Sequence, residues 1–249
     1  FKIKSIEQKE FKQYFPNDGW VEHDAQEIWR DVEDLIRRTI KKNKLRPSQI
    51  ISIGITNQRE TTVLWNKKTG KPIHKAIVWQ DRRTADYCDQ LKLKKKDKII
   101  QKITGLVLDP YFSATKIKWI LDKNSKNNKN QITDILFGTI DTWLLWKLTE
   151  GKSHYTDITN ASRTMIFDSN KEEWSKELLK LFNINKSLLP EVKENAFNFG
   201  STKLFGGNIV IGGMAGDQQA ATIGQACFNA GQSKSTYGTG CFLLMNIGS

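Results

Sequence analysis

A chain of 249 residues that is 38% hydrophobic can build one large α/β domain or a domain and a half. Its formal net charge of +12 comes from dispersed lysines, and the two dense runs, "KLKKKDK" (92–98) and "KNSKNNKNQ" (123–131), lack the interleaved aromatics that stack bases, so no nucleic-acid partner is expected. No run approaches the roughly 18 apolar residues of a membrane helix, no signal-peptide pattern is visible, and Cys88, Cys227 and Cys241 read as reduced thiols, which together point to a cytoplasmic protein without stable membrane insertion.

In chain order, "FKIKSIEQKEFKQYFP" (1–16) alternates weakly and predicts a strand or two at an edge. "HDAQEIWRDVEDLIRRTIKKN" (23–43) predicts a helix: Asp24 and Glu27 resemble a capping box, and Ile28, Trp29, Val32, Leu35, Ile36 and Ile40 recur at helical spacing. "QIISIGITN" (49–57) alternates as a strand, and "TTVLWNKKTGKPIHKAIVW" (61–79) predicts two more around a Lys-Thr-Gly-Lys turn. Helical patterns cover 83–93, 96–103 and 114–123, and "DILFGTIDTWLLWKLTEG" (134–151) reads as a short strand and a helix closed by Gly151. After a mixed region over 156–168 and a helix near 175–182, "NIVIGGMAG" (208–216) is a buried strand leading into a small-residue helix over 217–227. A hairpin over 231–248 turns at Gly238-Thr239-Gly240. Strands alternating with helices place the chain in the α/β class, and neither a dinucleotide nor a P-loop fingerprint is present.

Five stretches can carry chemistry. Arg59 and Glu60 lie just past a strand's C-terminal end, where α/β proteins expose ligand crevices; an arginine donates and a carboxylate accepts, so the two can grip adjacent hydroxyls. The ordinary alternative is a strand-end ion pair. Trp79, at the end of "IVW", can wall a pocket or simply pack in the core. Tyr111, held by Pro110 ahead of a helix, can offer its phenol to a ligand or rest on the helix N-terminus. In "GGMAGDQQAA" (212–221) the glycines permit close approach, and Asp217 can accept a proton from an alcohol that Gln218 orients, or serve as an N-cap. The turn of "YGTGCF" (237–242) can cradle phosphate oxygens or be an ordinary hairpin.

Taken together, "GWVEHDAQEIW", "IGITNQRETTVLW", "KAIVWQDRRTA", "TGLVLDPYFSATKIKWIL", "FGTIDTWLLWKLT", "TDITNASRTMIFD", "AGDQQAA" and "STYGTGCFLLMN" resemble, in order and over almost the whole chain, the glycerol-kinase branch of the FGGY carbohydrate kinases. The resemblance implies an actin-like ATPase (ribonuclease H-like) fold with a mixed central sheet flanked by helices. It implies transfer of the ATP γ-phosphoryl group to glycerol, giving sn-glycerol 3-phosphate, by a parent enzyme that uses Mg2+ and is a homo-oligomer. By position, Arg59, Glu60, Tyr111, Asp217 and Gln218 match residues that hydrogen-bond glycerol. Trp79 and Phe242 match the apolar walls, Asp217 the general base, and Thr239 with Gly240 the nucleotide side. No residue is expected to be a metal ligand. Residues 1–227 match the substrate-side domain and 228–249 the opening hairpin of the ATPase domain. The family's first strand with its phosphate and magnesium loop, and most of its second domain, have no counterpart in the chain, so impaired activity of this stretch alone is expected. The competing expectations are a kinase for another polyol or ketose and a non-catalytic fragment of a split or decaying gene.

Overall fold

Strand and helix signals translate into a layered α/β architecture across residues 2–127, 134–238 and 240–248, which the computed structural model describes. The chain runs β1 (Gln13–Tyr14), β2 (Glu22–His23), α1 (Ala25–Lys42), β3 (Ser52–Asn57), β4 (Val63–Asn66), β5 (Ala76–Ile77), α2 (Ala85–Leu93), α3 (Asp97–Thr104) and α4 (Ser113–Asn127). It continues through β6 (Ile135–Gly138), α5 (Ile140–Leu148), β7 (Tyr155–Asp157), α6 (Ile158–Ala161), β8 (Phe167–Asp168), β9 (Glu173–Trp174), α7 (Lys176–Phe182), β10 (Glu191–Lys193), β11 (Ala196–Thr202) and β12 (Ile209–Gly216). It closes with α8 (Asp217–Gly224) and a hairpin of β13 (Ser233–Tyr237) and β14 (Cys241–Met245). The lysine- and asparagine-rich run over 123–131, which as a sequence reads as a surface loop, is helical over 123–127 as the end of α4; its remainder, like Thr239, lies outside the described residues.

Asp24 caps α1 as its sequence suggests, its carboxylate accepting from the backbone amides of Gln26 and Glu27. The expected strands over 1–16 shrink to the two residues of β1. Ile3 and Ile6 stay exposed, so no buried face fixes a register there; instead Glu7 and Lys9 pair with Lys42 and Asp31 of α1. The two strands expected over 61–79 form as β4 and β5, and backbone hydrogen bonds such as Ile73 N–H to the Leu64 carbonyl at 2.9 Å join their segments across the turn. β4 pairs with β6 and β5 with β2, and the two segments meet each other at the bridges Thr62–Ile77 and Trp65–Pro72.

The mixed sheet that positions everything else has the order β11–β12–β3, with β12 antiparallel to β11 and parallel to β3. That parallel register ends with Gly216 opposite Asn57, so two chain segments far apart in sequence leave the sheet at the same C-terminal edge. α5 packs between this sheet and α1 and buries most of its residues, including Trp143, Leu144, Leu145 and Leu148. Trp65 and Trp143 meet edge-on at 5.3 Å within this core, and Trp143 Nε1 donates to the Ala25 carbonyl at 2.8 Å. A second core gathers α2, α3, α4 and α7 around Ile100, Ile117, Ile120, Phe167 and Phe182. No helix of the described residues is long and apolar enough to cross a membrane.

Beneath the sheet's C-terminal edge lies a buried polar network. Asn57 and Asn160 exchange side-chain amide bonds at 2.9 and 3.0 Å, and Asn160 and Asn195 each donate to Asp157 at 2.7 Å. Asp141 accepts from Thr156 at 2.7 Å and from Thr139; burial first, and then the neighbouring Asp157 charge, push its carboxyl up to about 6. Thr159 Oγ1 accepts from the Gly216 amide at 2.8 Å, which ties the end of β12 to the same network as the end of β3. Because the Asn160 side chain links Asn57 to Asp157 at the centre of this network, Asn160→Ala is expected to destabilise the fold by about 1–3 kcal/mol, read as a lower urea midpoint; an unchanged midpoint would show the network to be dispensable.

Candidate functional site

Past Asn57 the chain turns sharply at Glu60, whose φ is +62°, and the Thr61 amide closes back onto the Arg59 carbonyl at 2.7 Å. A two-residue closure with positive φ is the rare, strained form of γ-turn, unfavourable for a residue with a Cβ. Three side chains donate to the Glu60 carbonyl and hold it there: Thr62 Oγ1 at 3.2 Å, Ser113 Oγ at 3.3 Å and Lys116 Nζ at 3.4 Å. The Glu60 side chain therefore points into the protein, and the residue is 2% exposed.

The expected ion pair between Arg59 and Glu60 takes a different form. Arg59 Nε sits 3.9 Å from Glu60 Oε1, whereas Arg163 Nε donates to that oxygen at 2.7 Å. Arg59 also approaches Asp217 Oδ1 at 3.4 Å and donates through one terminal nitrogen to Gln219 Oε1 at 3.2 Å. Its Nε is buried yet makes no aligned hydrogen bond. Burial pushes the Glu60 carboxyl above its usual range, and the neighbouring Arg59 and Arg163 charges pull it part of the way back. An orphaned guanidinium N–H beside a buried carboxylate is the kind of unsatisfied polar arrangement that a ligand completes.

β12 delivers the opposite side. Gly216 lies so close to Arg59 that a Cβ would stand 2.5 Å from Arg59 Cδ, which explains the glycine at the strand end. Asp217 opens α8, its carboxylate accepting from the Gln218 amide at 2.8 Å while 44% of its side chain faces solvent. Gln218 is buried, and its Oε1 accepts from Lys234 of β13. Lys234 also donates to Thr236 Oγ1 at 2.8 Å, and burial lowers its ammonium below the usual lysine value.

The aromatic residues complete the enclosure. Trp79 stands 5.3 Å from Tyr111 and 6.4 Å from Phe242, ring centre to ring centre. Gly240 makes room for the last of these, since a Cβ there would meet the Phe242 ring at 2.8 Å. Arg59, Glu60, Trp79, Tyr111, Asp217, Gln218, Gly240 and Phe242 thus line one cavity of about 190 Å³, together with Gln58, Thr236 and Gly238. Thr239 lies outside the described residues. Arg163, Lys116 and Lys234 escape sequence reasoning because each acts on a partner at the far end of a fold-level contact; the only local hint is an arginine after "NAS" and a lysine one turn into a helix. Among the described residues no group of three or more His, Cys, Asp or Glu side chains is arranged to hold a metal ion.

Comparisons with known proteins bear on the chain as a whole. Residues 1–224 match the N-terminal domain of the FGGY family of carbohydrate kinases. The chain is 57% identical to a glycerol kinase of Clostridium botulinum, over 99% of this chain and 50% of that protein, and 53% identical to one of Alcanivorax borkumensis, over 97% and 49%. The crystal structure of Plasmodium falciparum glycerol kinase with ADP superposes with a TM-score of 0.88 at 43% identity, covering 94% of this chain and 48% of that one. The chain spans about half the length of the curated relatives it matches. On the match to residues 1–224 and the shared architecture, the chain belongs to the FGGY family of carbohydrate kinases, with their actin-like ATPase fold.

Proposed function

We propose that the protein carrying this sequence transfers the γ-phosphoryl group of ATP to a terminal hydroxyl of glycerol, and that the cavity between Glu60 and Phe242 receives the glycerol. The observation that carries this reading is the buried Glu60 carboxylate set beside the unpartnered Nε of Arg59, with the Asp217 carboxylate 3.4 Å from that Nε. The cavity, about 190 Å³, has room for a three-carbon polyol. The 57% identity to a glycerol kinase supports the same substrate.

In this reading Arg59 donates to one hydroxyl and Glu60 accepts from it or its neighbour. Tyr111 and Gln218 contribute further hydrogen bonds, and Trp79 and Phe242 cover the carbon chain. Asp217, at the end of β12, takes the proton of the attacking hydroxyl as its oxygen closes on the γ-phosphorus, leaving ADP as the other product. The transfer depends on alignment and charge placement more than on covalent chemistry, so the rigid strand ends that carry both carboxylates are the functional feature of the fold. Residues 1–227 form the substrate side. Residues 228–249 are the opening hairpin of the nucleotide side, with Gly240 on the side of the phosphates. ATP-dependent transfer would use Mg2+, for which the described residues offer no ready cluster of ligands.

A coupled assay of the full-length protein on glycerol, xylulose and gluconate tests the reading; preference for either sugar substrate over glycerol would overturn it. Asp217→Asn is expected to lower kcat by about 10²–10⁴-fold with glycerol KM within about tenfold, and near-normal turnover would remove Asp217 from the base role. Gly216→Ala, which drives a methyl into Arg59, is expected to raise glycerol KM by about tenfold or more. As pH falls through the raised Glu60 value the carboxylate is protonated and loses its pairing with Arg163. The acid limb of glycerol affinity should therefore lie above pH 4.5, Glu60's ordinary value, and be absent in Glu60→Gln.

A further inference from the structure

Lys116 stands out among the charged groups that the proposed chemistry leaves unused. It sits in the first turn of α4 with no exposed surface, although burying an ammonium is costly. Among the described residues no carboxylate pairs with it at salt-bridge distance. Its Nζ donates instead to two backbone carbonyls, that of Tyr111 at 2.6 Å and that of Glu60 at 3.4 Å. These two residues lie on separate loops, one following β3 and one preceding α4, and they reach the same cavity from different directions. Glu60 is also the strained residue of the γ-turn, the backbone geometry that most needs outside support.

We propose that Lys116 is a positioning residue, whose ammonium ties the Glu60 turn to the Tyr111 loop and thereby sets the distance between the carboxylate acceptor and the phenol across the polyol site. The effect on substrate rests on the glycerol-kinase reading, whereas the effect on the turn does not. Burial lowers the Lys116 ammonium to about 7, with the Glu60, Asp81 and Asp109 charges restoring only part of the loss. A lysine kept at such a disadvantage would be replaced without loss by an apolar side chain if filling space were its only task. The nearby charge also favours the ionised form of Glu60, so one side chain supports both the backbone and the carboxylate of the same residue.

Lys116→Met in the full-length protein is the test, since it keeps the length of the side chain and removes the donor. Two readouts are taken on the same preparation. Without substrate, hydrogen exchange at the Thr61 amide, which closes the turn, is expected to quicken by about tenfold or more while the amides of α5 keep their protection. With substrate, glycerol KM is expected to rise by about tenfold with ATP KM and kcat within about threefold. A purely structural lysine would instead reduce the active fraction, lowering kcat at unchanged KM. Unchanged exchange at Thr61 overturns the proposal whatever the enzyme's substrate, and faster exchange with unchanged glycerol KM overturns the link to the site. Wild-type turnover on glycerol, measured alongside, reports separately on the function itself. If the methionine variant does not fold, Ser113→Ala, which removes a neighbouring donor to the same carbonyl, is read in the same two ways with a smaller expected change of about threefold.

Discussion

The Glu60 carboxylate is the group on which the site's geometry depends. It is buried, sits on a residue whose backbone is forced to positive φ, and lies between two arginines that come from opposite directions in the sequence. Each of these conditions is unfavourable alone. Together they are self-consistent: Thr62, Ser113 and Lys116 hold the strained carbonyl, Arg163 takes one carboxylate oxygen at 2.7 Å, and Arg59 approaches without completing a hydrogen bond. Polar capacity is thus left over on Arg59, a residue that lines the cavity.

The sheet makes this arrangement possible. Parallel pairing of β12 with β3 puts residues 59–60 and 217–218 side by side although more than half the chain separates them, and the asparagine-centred network below fixes both strand ends to α6 and β7. Gly216 then lets Arg59 lie flat against the opposite strand. A polyol, having no net charge of its own, is recognised through a set of directional hydrogen bonds and an apolar wall, so rigidity at this edge is more valuable than additional charge. The aromatic trio of Trp79, Tyr111 and Phe242 supplies the wall from three different segments.

Much of this was legible in the residues. The alternation of "IISIGITN" and the apolar run of "NIVIGG" mark the two strands that matter, Asp24 marks a helix start that the structure keeps, and the charged or aromatic residues after each strand end are the ones that line the cavity. The misreadings share a cause. The alternation over 1–16 has no apolar partner to bury against, and the further pairing of β4 with β6 and of β5 with β2 joins segments that no local pattern links. Tripeptide strands such as β7 and β10, paired across more than thirty residues, carry no local pattern at all. Arg163 and Lys116 were invisible for a related reason: their value lies in the Glu60 turn they reach, and nothing adjacent to them in sequence announces it.

The most direct test of the central claim is a crystal structure of the protein with glycerol. A glycerol hydroxyl within hydrogen-bond distance of both Arg59 Nε and a Glu60 carboxylate oxygen, with another hydroxyl next to Asp217 and the carbons against Trp79, is the result this account predicts. Glycerol ordered elsewhere, or a cavity filled only by water at saturating glycerol, would contradict it.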